Sequence, residues 1–481
     1  MRTSLFITCL CFLGSFSACG IGLRVGPDYE RPVGEIEIAD SFAHYEGDTS
    51  SLLIDVEWWK VFGDAELDSL VGEAIRNNLD IRRASAVVLE FRSRHTQARA
   101  DRLPSISLKG DYQRQELPEG GVSPQYQAIR NTESYSMSIA ASHELDLWGK
   151  MSVAQDAARA DLLQSIENRR TVMHSVISET AALYLQQEAL ERRISIVDRL
   201  IETHRKSLQT VELRYQRGLA SMLELKQAQR ALASAQSRMP ELRQELGITQ
   251  HRLSLLIGRY PQSKPPRLQP EDYFGRLEPV PAGLPSDLLE NRPDIRAAEA
   301  GLKALNARYG IAWTNLFPRI SLTGSYGYTS TEVENLFTPE NVLWSFAAGL
   351  TQPIFNAGKL LAEKNAAEAR YRQGVINYAK TVLTAFAEVE NALLTRREQL
   401  RRRDHIVDLL EKARAAQTIA ENRYGRGLVD YLNVLDAMQA RYSAEESLVL
   451  VDLAILSNRI TLHRALGGNW IGLSDEEDDN E

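Results

Sequence analysis

The sequence predicts a mostly helical protein whose chain also supplies strands to a transmembrane β-barrel, and three observations carry that reading. The first is an internal duplication. Residues 291–300, NRPDIRAAEA, repeat 77–86, NNLDIRRASA, at an offset of 214. FPRISLTGSY (317–326) repeats LPSISLKGDY (103–112) at the same offset, while RYGRGLVDYLNVLDA (423–437) repeats RYQRGLASMLELKQA (214–228) at 209. The second is a pair of alternating polar and apolar segments in each copy, each about ten residues long, the length a tilted strand needs to cross a bilayer. The third is a very long helical stretch after each pair, with a coiled-coil seam in the first copy. No run of 18 apolar residues occurs, the richest stretch near 447–457 being broken by Asp452, so no helix spans a membrane. A chain that crosses one must then do so by a closed barrel.

Each element has a local cause. After an N-terminal arm (19–62), the first copy (63–257) opens on a helix over 64–100 with Leu67, Leu70, Val71, Ala74 and Ile75 on one stripe and Asp64 as its N-cap. Pro104 stops it, and a strand follows at about 105–113, with Ile106, Leu108, Gly110 and Tyr112 on one face and Ser105, Ser107, Lys109 and Asp111 on the other. A loop (114–133) leads to a second strand at about 135–145. Beyond Gly149-Lys150 the chain turns helical over about 153–257. Positions 183, 187, 190, 194, 197, 201, 204, 208, 211 and 215 are spaced four and three apart, a coiled-coil seam. From 153 to 216 that helix is about 96 Å long. A second seam runs from Leu225 to Leu246, and Pro240 is expected to interrupt it at a cost of about 3 kcal/mol.

A proline-rich linker (258–285) joins the copies. The second copy (286–467) repeats the order: a helix over 286–315, Pro318, strands at about 320–329 and 342–352 around a loop (330–341), and long helices over about 360–466. Four strands do not close a barrel, and lipid forbids open edges. Two chains give eight strands, whose interior side chains fill; three give twelve, which leave a lumen, and a trimer is the physical preference.

The charge balance, 56 basic against 64 acidic residues, gives −8 and argues against nucleic acid as a partner. The acidic tail (468–481) reads as a solvated block. Residues 1–18 form a secretory signal with a short basic end at Arg2 and an apolar centre over Leu5–Phe16. It ends at FSAC-G, which looks like the lipobox of a bacterial lipoprotein, so Cys19 is a candidate for lipidation; cleavage nearby without lipid is the alternative. In lipoproteins of the kind this box resembles, an Asp after the Cys retains the protein at the inner membrane; Gly20 stands there instead, and the resemblance implies delivery to the outer membrane. Cys9 and Cys11 lie in the signal, so the mature chain holds Cys19 alone and no internal disulfide.

Five pieces, VGPDYERP (25–32), NRPDIRAAEA, the Phe-Pro-x-Ile-Ser-Leu-x-Gly strand entry, QPIFNAGK (352–359) and RYGRGLVDYLNVLDA, occur in order on a duplicated scaffold. Together they resemble the TolC-type outer membrane efflux family, in its lipoprotein branch paired with RND pumps. The resemblance implies a homotrimer with a 12-stranded barrel in outer-membrane lipid, continued by an α-helical barrel in the periplasm. It implies a periplasmic adaptor protein and an inner-membrane RND-type pump as partners, and no cofactor. It also places a periplasmic aperture on the helix carrying YLNVLDA, with Leu432 in an apolar ring and Asp436, four residues on, in an acidic one. Residues four apart share a helix face, so both can point at one axis. Asn433 stands where some members carry a second acid. Tyr424 and Arg426 fall near contacts that hold the aperture shut in relatives, and Gly218, Leu219, Gly427 and Leu428 at the hairpin tips become candidates for adaptor docking. The same glycines also read as left-handed helix caps; for Leu432 ordinary packing, and for Asp436 a solvated face, are the plainer accounts.

Catalysis is not indicated. The eight histidines are scattered without a pair at metal spacing, and the Gly-Lys pairs at 149–150 and 358–359 lack the rest of a phosphate-binding loop. The sequence therefore reads as a passive export conduit of a tripartite efflux system. An outer-membrane channel for type I protein secretion and a pore-less periplasmic coiled-coil scaffold are the alternatives. Nothing in it selects drug, solvent, metal or metabolite as cargo.

Overall fold

The computed structural model describes residues 24–32, 42–44, 57–116, 131–266 and 288–467. The signal, Cys19, most of the loop 114–133, most of the linker and the acidic tail lie outside the described residues. Helices α1 (Ala65–Asn77) and α2 (Leu79–Ala100) precede strands β1 (Ser105–Glu116) and β2 (Asn131–Glu144), then helices α3 (Lys150–Gln216) and α4 (Met222–Leu256). The second copy supplies α5 (Pro293–Thr314), β3 (Arg319–Ser330), β4 (Val342–Thr351), α6 (Lys359–Gly425) and α7 (Tyr431–Leu466). The chain is mostly helical, with α3 and α6 each 67 residues long. Both ends of α3 map onto those of α6 by adding 209, so the duplication runs without a gap along the whole helix.

Contacts divide the chain into two units: Met1–Pro32, Val88–Gln164 and Ala298–Tyr378 form one, and Val33–Val87, Ser165–Ala297 and Ala379–Glu481 the other. The first contains the sheet. Its strands lie in the order β1-β2-β3-β4, all antiparallel. The registers, Leu108↔Ile139, Ile139↔Tyr326 and Tyr326↔Trp344, keep the large apolar side chains of the four strands on one face, Leu343 excepted. Ser107↔Ala140, Ala140↔Ser325 and Ser325↔Ser345 lie on the other. The apolar face is open: Ile106 is 73 % and Trp344 68 % exposed. Among the described residues of one chain, β1 and β4 pair on one side only.

In the same unit the arm residues of VGPDYERP grip α5. Arg31 donates to Glu299 Oε2 at 2.5 Å, Tyr29 to Oε1 at 3.3 Å, and Lys303 lies 2.9 Å away. Burial opposes the charge on Glu299, but the bonds from Lys303 and Arg31 outweigh it and hold the carboxyl below its usual range. Two of the motifs that carry the family resemblance thus meet at one carboxylate.

The second unit corrects the reading of single helices over 64–100 and 286–315. The first breaks at Asn78, whose backbone is extended (ψ 131°). Its Oδ1 accepts the Asp80 and Ile81 N–H groups at 2.9 and 3.1 Å, capping α2, and its Nδ2 donates to the Leu256 carbonyl at 2.9 Å. The second helix breaks at Arg292, the position equivalent to Asn78 (78 + 214), because Pro293 excludes a helical residue before it. Arg292 donates to the Ala465 carbonyl at 2.8 Å, to Asp294 and to Glu388. In each copy the break therefore satisfies a carbonyl at the C-terminal end of that copy's second long helix. The glycines closing those helices are pressed against the same breaks: a Cβ on Gly258 would lie 2.7 Å from the Asn77 carbonyl oxygen, and one on Gly467 2.8 Å from Arg292.

Pro240 does not interrupt α4, which runs unbroken past it. Its neighbours Met239 and Leu242 are buried with Leu190, Val197, Leu246 and Tyr442, and that packing offsets the lost hydrogen bond. A further core joins Trp58, Trp59 and Phe62 to Leu67, Ile177, Tyr184 and Ile460. Among the described residues no helix is long and apolar enough to cross a membrane.

Candidate gate at the helical hairpin tips

At the end of α3 the chain reverses through Gly218 (φ 75°), and at the end of α6 through Gly427 (φ 74°). In both, the leucine that follows closes the last turn: the Leu219 N–H donates to the Arg214 carbonyl at 2.8 Å, and Leu428 to Arg423 at 3.0 Å. This is the six-to-one bond of a left-handed helix terminus, a conformation glycine adopts without steric cost. Leu219 and Leu428 are 64 % and 68 % exposed, so each turn presents a bare apolar side chain at its tip.

The two tips are tied together. Ser221 caps α4 by a capping box with Glu224, whose other oxygen accepts the Tyr424 phenol at 2.9 Å. The Arg214 guanidinium lies over the Tyr424 ring, 4.8 Å from its centroid, and the Tyr431 ring packs on the Tyr424 ring at 5.3 Å. Tyr431, fully buried, shares a 2.8 Å hydrogen bond with Ser207. Val211, Ala228, Val434 and Met438 complete this small core. Burial, reinforced by the bond to Glu224, pushes the Tyr424 phenol well above its usual range, so it remains a donor throughout the physiological range. Contacts from one copy to the other thus depend on a phenol, a carboxylate and a guanidinium in a partly dry setting.

The residues singled out from sequence fall in different settings. Tyr424 is buried at the centre of this cluster. Arg426 is exposed and makes no side-chain hydrogen bond or ion pair among the described residues. Leu432 and Asp436 are both exposed on one face of α7, a turn apart, while Tyr431, Val434 and Met438 face the core. Cys19 lies outside the described residues. Arg214, Glu224, Ser207 and Tyr431 were not anticipated. The available signal was Glu224 itself, which stands at the third position of a capping box where the second copy has Asn433 (224 + 209).

A four-stranded sheet with an exposed apolar face is joined in one chain to long paired helices with exposed tips, the plan of an outer-membrane efflux protein. The chain belongs to the outer membrane efflux protein family, whose pattern it matches over residues 70–259 and 284–468. It is 32 % identical over 453 residues to the solvent efflux pump outer membrane protein SrpC of Pseudomonas putida, covering 93 % of this chain and 96 % of that one. It is 30 % identical over 456 residues to the cation efflux system protein CusC of Escherichia coli, with the same coverage. Its fold is similar to that of the outer-membrane channel OprN, with a TM-score of 0.85 at 29 % identity over 93 % of this chain and 99 % of OprN. The protein is an outer-membrane efflux component, a transport protein by family, with a periplasmic extension.

Proposed function

We propose that three copies of this chain close a twelve-stranded barrel, continue it as a periplasmic helical barrel, and complete a tripartite efflux route as its passive outer conduit. An inner-membrane RND-type pump supplies the energy, and a periplasmic adaptor docks on the hairpin tips at Gly218, Leu219, Gly427 and Leu428. The observation that carries this reading is the sheet: four strands of membrane-crossing length expose an apolar face and end in two unpaired edges. Lipid covers such a face, but only neighbouring strands satisfy such edges.

On α7, Leu432 and Asp436 form successive apolar and acidic rings around the axis of the assembly, and the bond from Tyr424 to Glu224 holds the closed arrangement. Three like carboxylates near one axis raise the local cation concentration and repel one another. Acylation at Cys19 adds an anchor. The cargo stays open: the two relatives above are named for solvent and for cation efflux.

Reconstitution in planar bilayers tests the reading. The protein gives cation-preferring channels, and Asp436→Ala raises their conductance and lowers the preference. Absence of any conductance from both proteins overturns the conduit in favour of a scaffold, and unchanged selectivity overturns the acidic ring.

A further inference from the structure

The duplication specifies more than the number of copies, because it contains a record of how one copy meets the next. Strand β1 maps onto β3 by adding 214 over its full length, 105–116 onto 319–330. The registers Ser105↔Ser142 and Arg319↔Thr351 then map β2 onto β4 by adding 209, the offset already found between α3 and α6. Within the chain, the copies meet where β2 pairs with β3, for example at Ile139↔Tyr326 and Ala140↔Ser325.

We propose that the seam between neighbouring chains repeats this internal seam residue for residue, with β4 of one chain paired antiparallel to β1 of the next so that Ala348 lies opposite Tyr112 of the partner subunit. The step is a translation: Ile139 becomes Ala348 (139 + 209), and Tyr326 becomes Tyr112 (326 − 214). Likewise Ala140↔Ser325 becomes Gly349 opposite Asp111 of the partner subunit. The inference rests on the ring of copies proposed above and adds to it the register in which the ring closes.

Two features of the strands, neither used in the translation, agree with that register. The first is parity. It sets the apolar face of β4, with Phe346 and Leu350, beside the face of β1 that carries Leu108 and Tyr112; a slip of one residue would set it against Lys109 and Asp111 instead. The second is size. Tyr112 meets Ala348 and Gly110 meets Leu350, bulky against small, as Gly324 meets Phe346 and Gly110 meets Met137 inside the chain. The pairing ends at Pro353, which has no N–H to donate. One detail differs. A Cβ on Gly327 would lie 2.5 Å from the Ser138 Cα, whereas the translated position is Gln113, so the outer seam is wider at that level while keeping its register.

Cysteine pairs in the full-length chain, assembled in its membrane, read the register directly. Opposed residues of an antiparallel pair have Cα atoms about 4.5–5.5 Å apart, inside the range a disulfide spans, and a shift of two residues moves a partner by about 7 Å. Tyr112→Cys with Ala348→Cys is compared with the shifted pairs Gly110→Cys and Arg114→Cys, each with Ala348→Cys. The internal counterpart, Ile139→Cys with Tyr326→Cys, reports correct folding by forming a bond that leaves the chain monomeric under denaturing conditions. The expected result is a ladder of covalent dimers and trimers from the 112–348 pair, about ten-fold stronger than from either shifted pair. Asp111→Cys with Gly349→Cys, on the opposite face, gives the same ladder should the first pair disturb assembly. A trimer in native mass spectrometry that cross-links best through 110 or 114, or through none of these pairs, overturns the register alone. A protein that is monomeric in native mass spectrometry, yet forms the internal bond, overturns the ring as well.

Discussion

Tyr424 is the residue through which the tips of the two copies hold one another, since its phenol reaches Glu224 while its ring carries Arg214 and Tyr431. A hydrogen bond from a phenol to a carboxylate contributes about 1–3 kcal/mol, comparable with the bias that keeps a gate shut. Tyr424→Phe keeps the ring contacts and removes that bond. Single-channel recording should therefore show more frequent opening, and unchanged open probability would remove Tyr424 from the latch. A second residue-scale consequence concerns pH. Burial, with Arg292 and Arg464 nearby and Asp294 opposing, lowers His174 from 6.5 to about 4; burial, with Arg459, His174 and Arg396, lowers His463 to about 3. Both imidazoles are neutral in the fold, so below about pH 6.5 the unfolded chain binds protons that the folded chain refuses. Their contribution is complete above pH 6.5 and is lost as pH falls toward 4 and 3. His463→Phe, which preserves the stack on Trp58, is expected to flatten the fall in melting temperature over that window; an unchanged slope would point to other groups.

Among elements, the breaks at Asn78 and Arg292 and the glycines that end α4 and α7 form two versions of one joint. Gly427 and Gly467 both have positive φ, but a Cβ on Gly427 meets nothing within 4 Å, whereas one on Gly467 meets the Arg292 backbone and side chain. Gly427→Ala therefore carries only the left-handed cost of about 1–2 kcal/mol, while Gly467→Ala adds displacement of a buried arginine and costs about 3–5 kcal/mol in all. Thermal unfolding should rank the two in that order, and equal effects would mean that the joint yields freely. Much of the element scale was legible in sequence. Alternation marked the strands, since large apolar and small polar side chains take opposite faces of the sheet, and the four-three spacing marked α3 because its seam is buried along most of its length. The break at Asn78 was not legible, because the helical stripe continues through it and its amide is held by a carbonyl 178 residues away; the break at Arg292 does carry a local mark, Pro293. Pro240 shows the converse, a strong local signal overridden by packing.

For the whole molecule, the quantity that matters is the number of strands available for closure. If three chains share one barrel, the exposed apolar face holds the assembly in the membrane and acylation at Cys19 is an additional anchor. Cys19→Ala should then remain in the outer-membrane fraction after carbonate extraction; its full release into the soluble periplasm would mean that the strands do not insert. The candidate gate was legible only in part. Leu432 and Asp436 follow from the motif on α7, whereas Arg214 and Glu224 enter through contacts spanning about 200 positions, which no local pattern records. By itself the sequence determined the duplication, the two-faced strands and the paired helices, because those depend on periodicities of two and of three and a half within a single segment. The tertiary structure decided where helices break, which phenol meets which carboxylate and in what register the strands align. Those choices are made by groups distant in sequence that must satisfy each other's hydrogen bonds once water is removed.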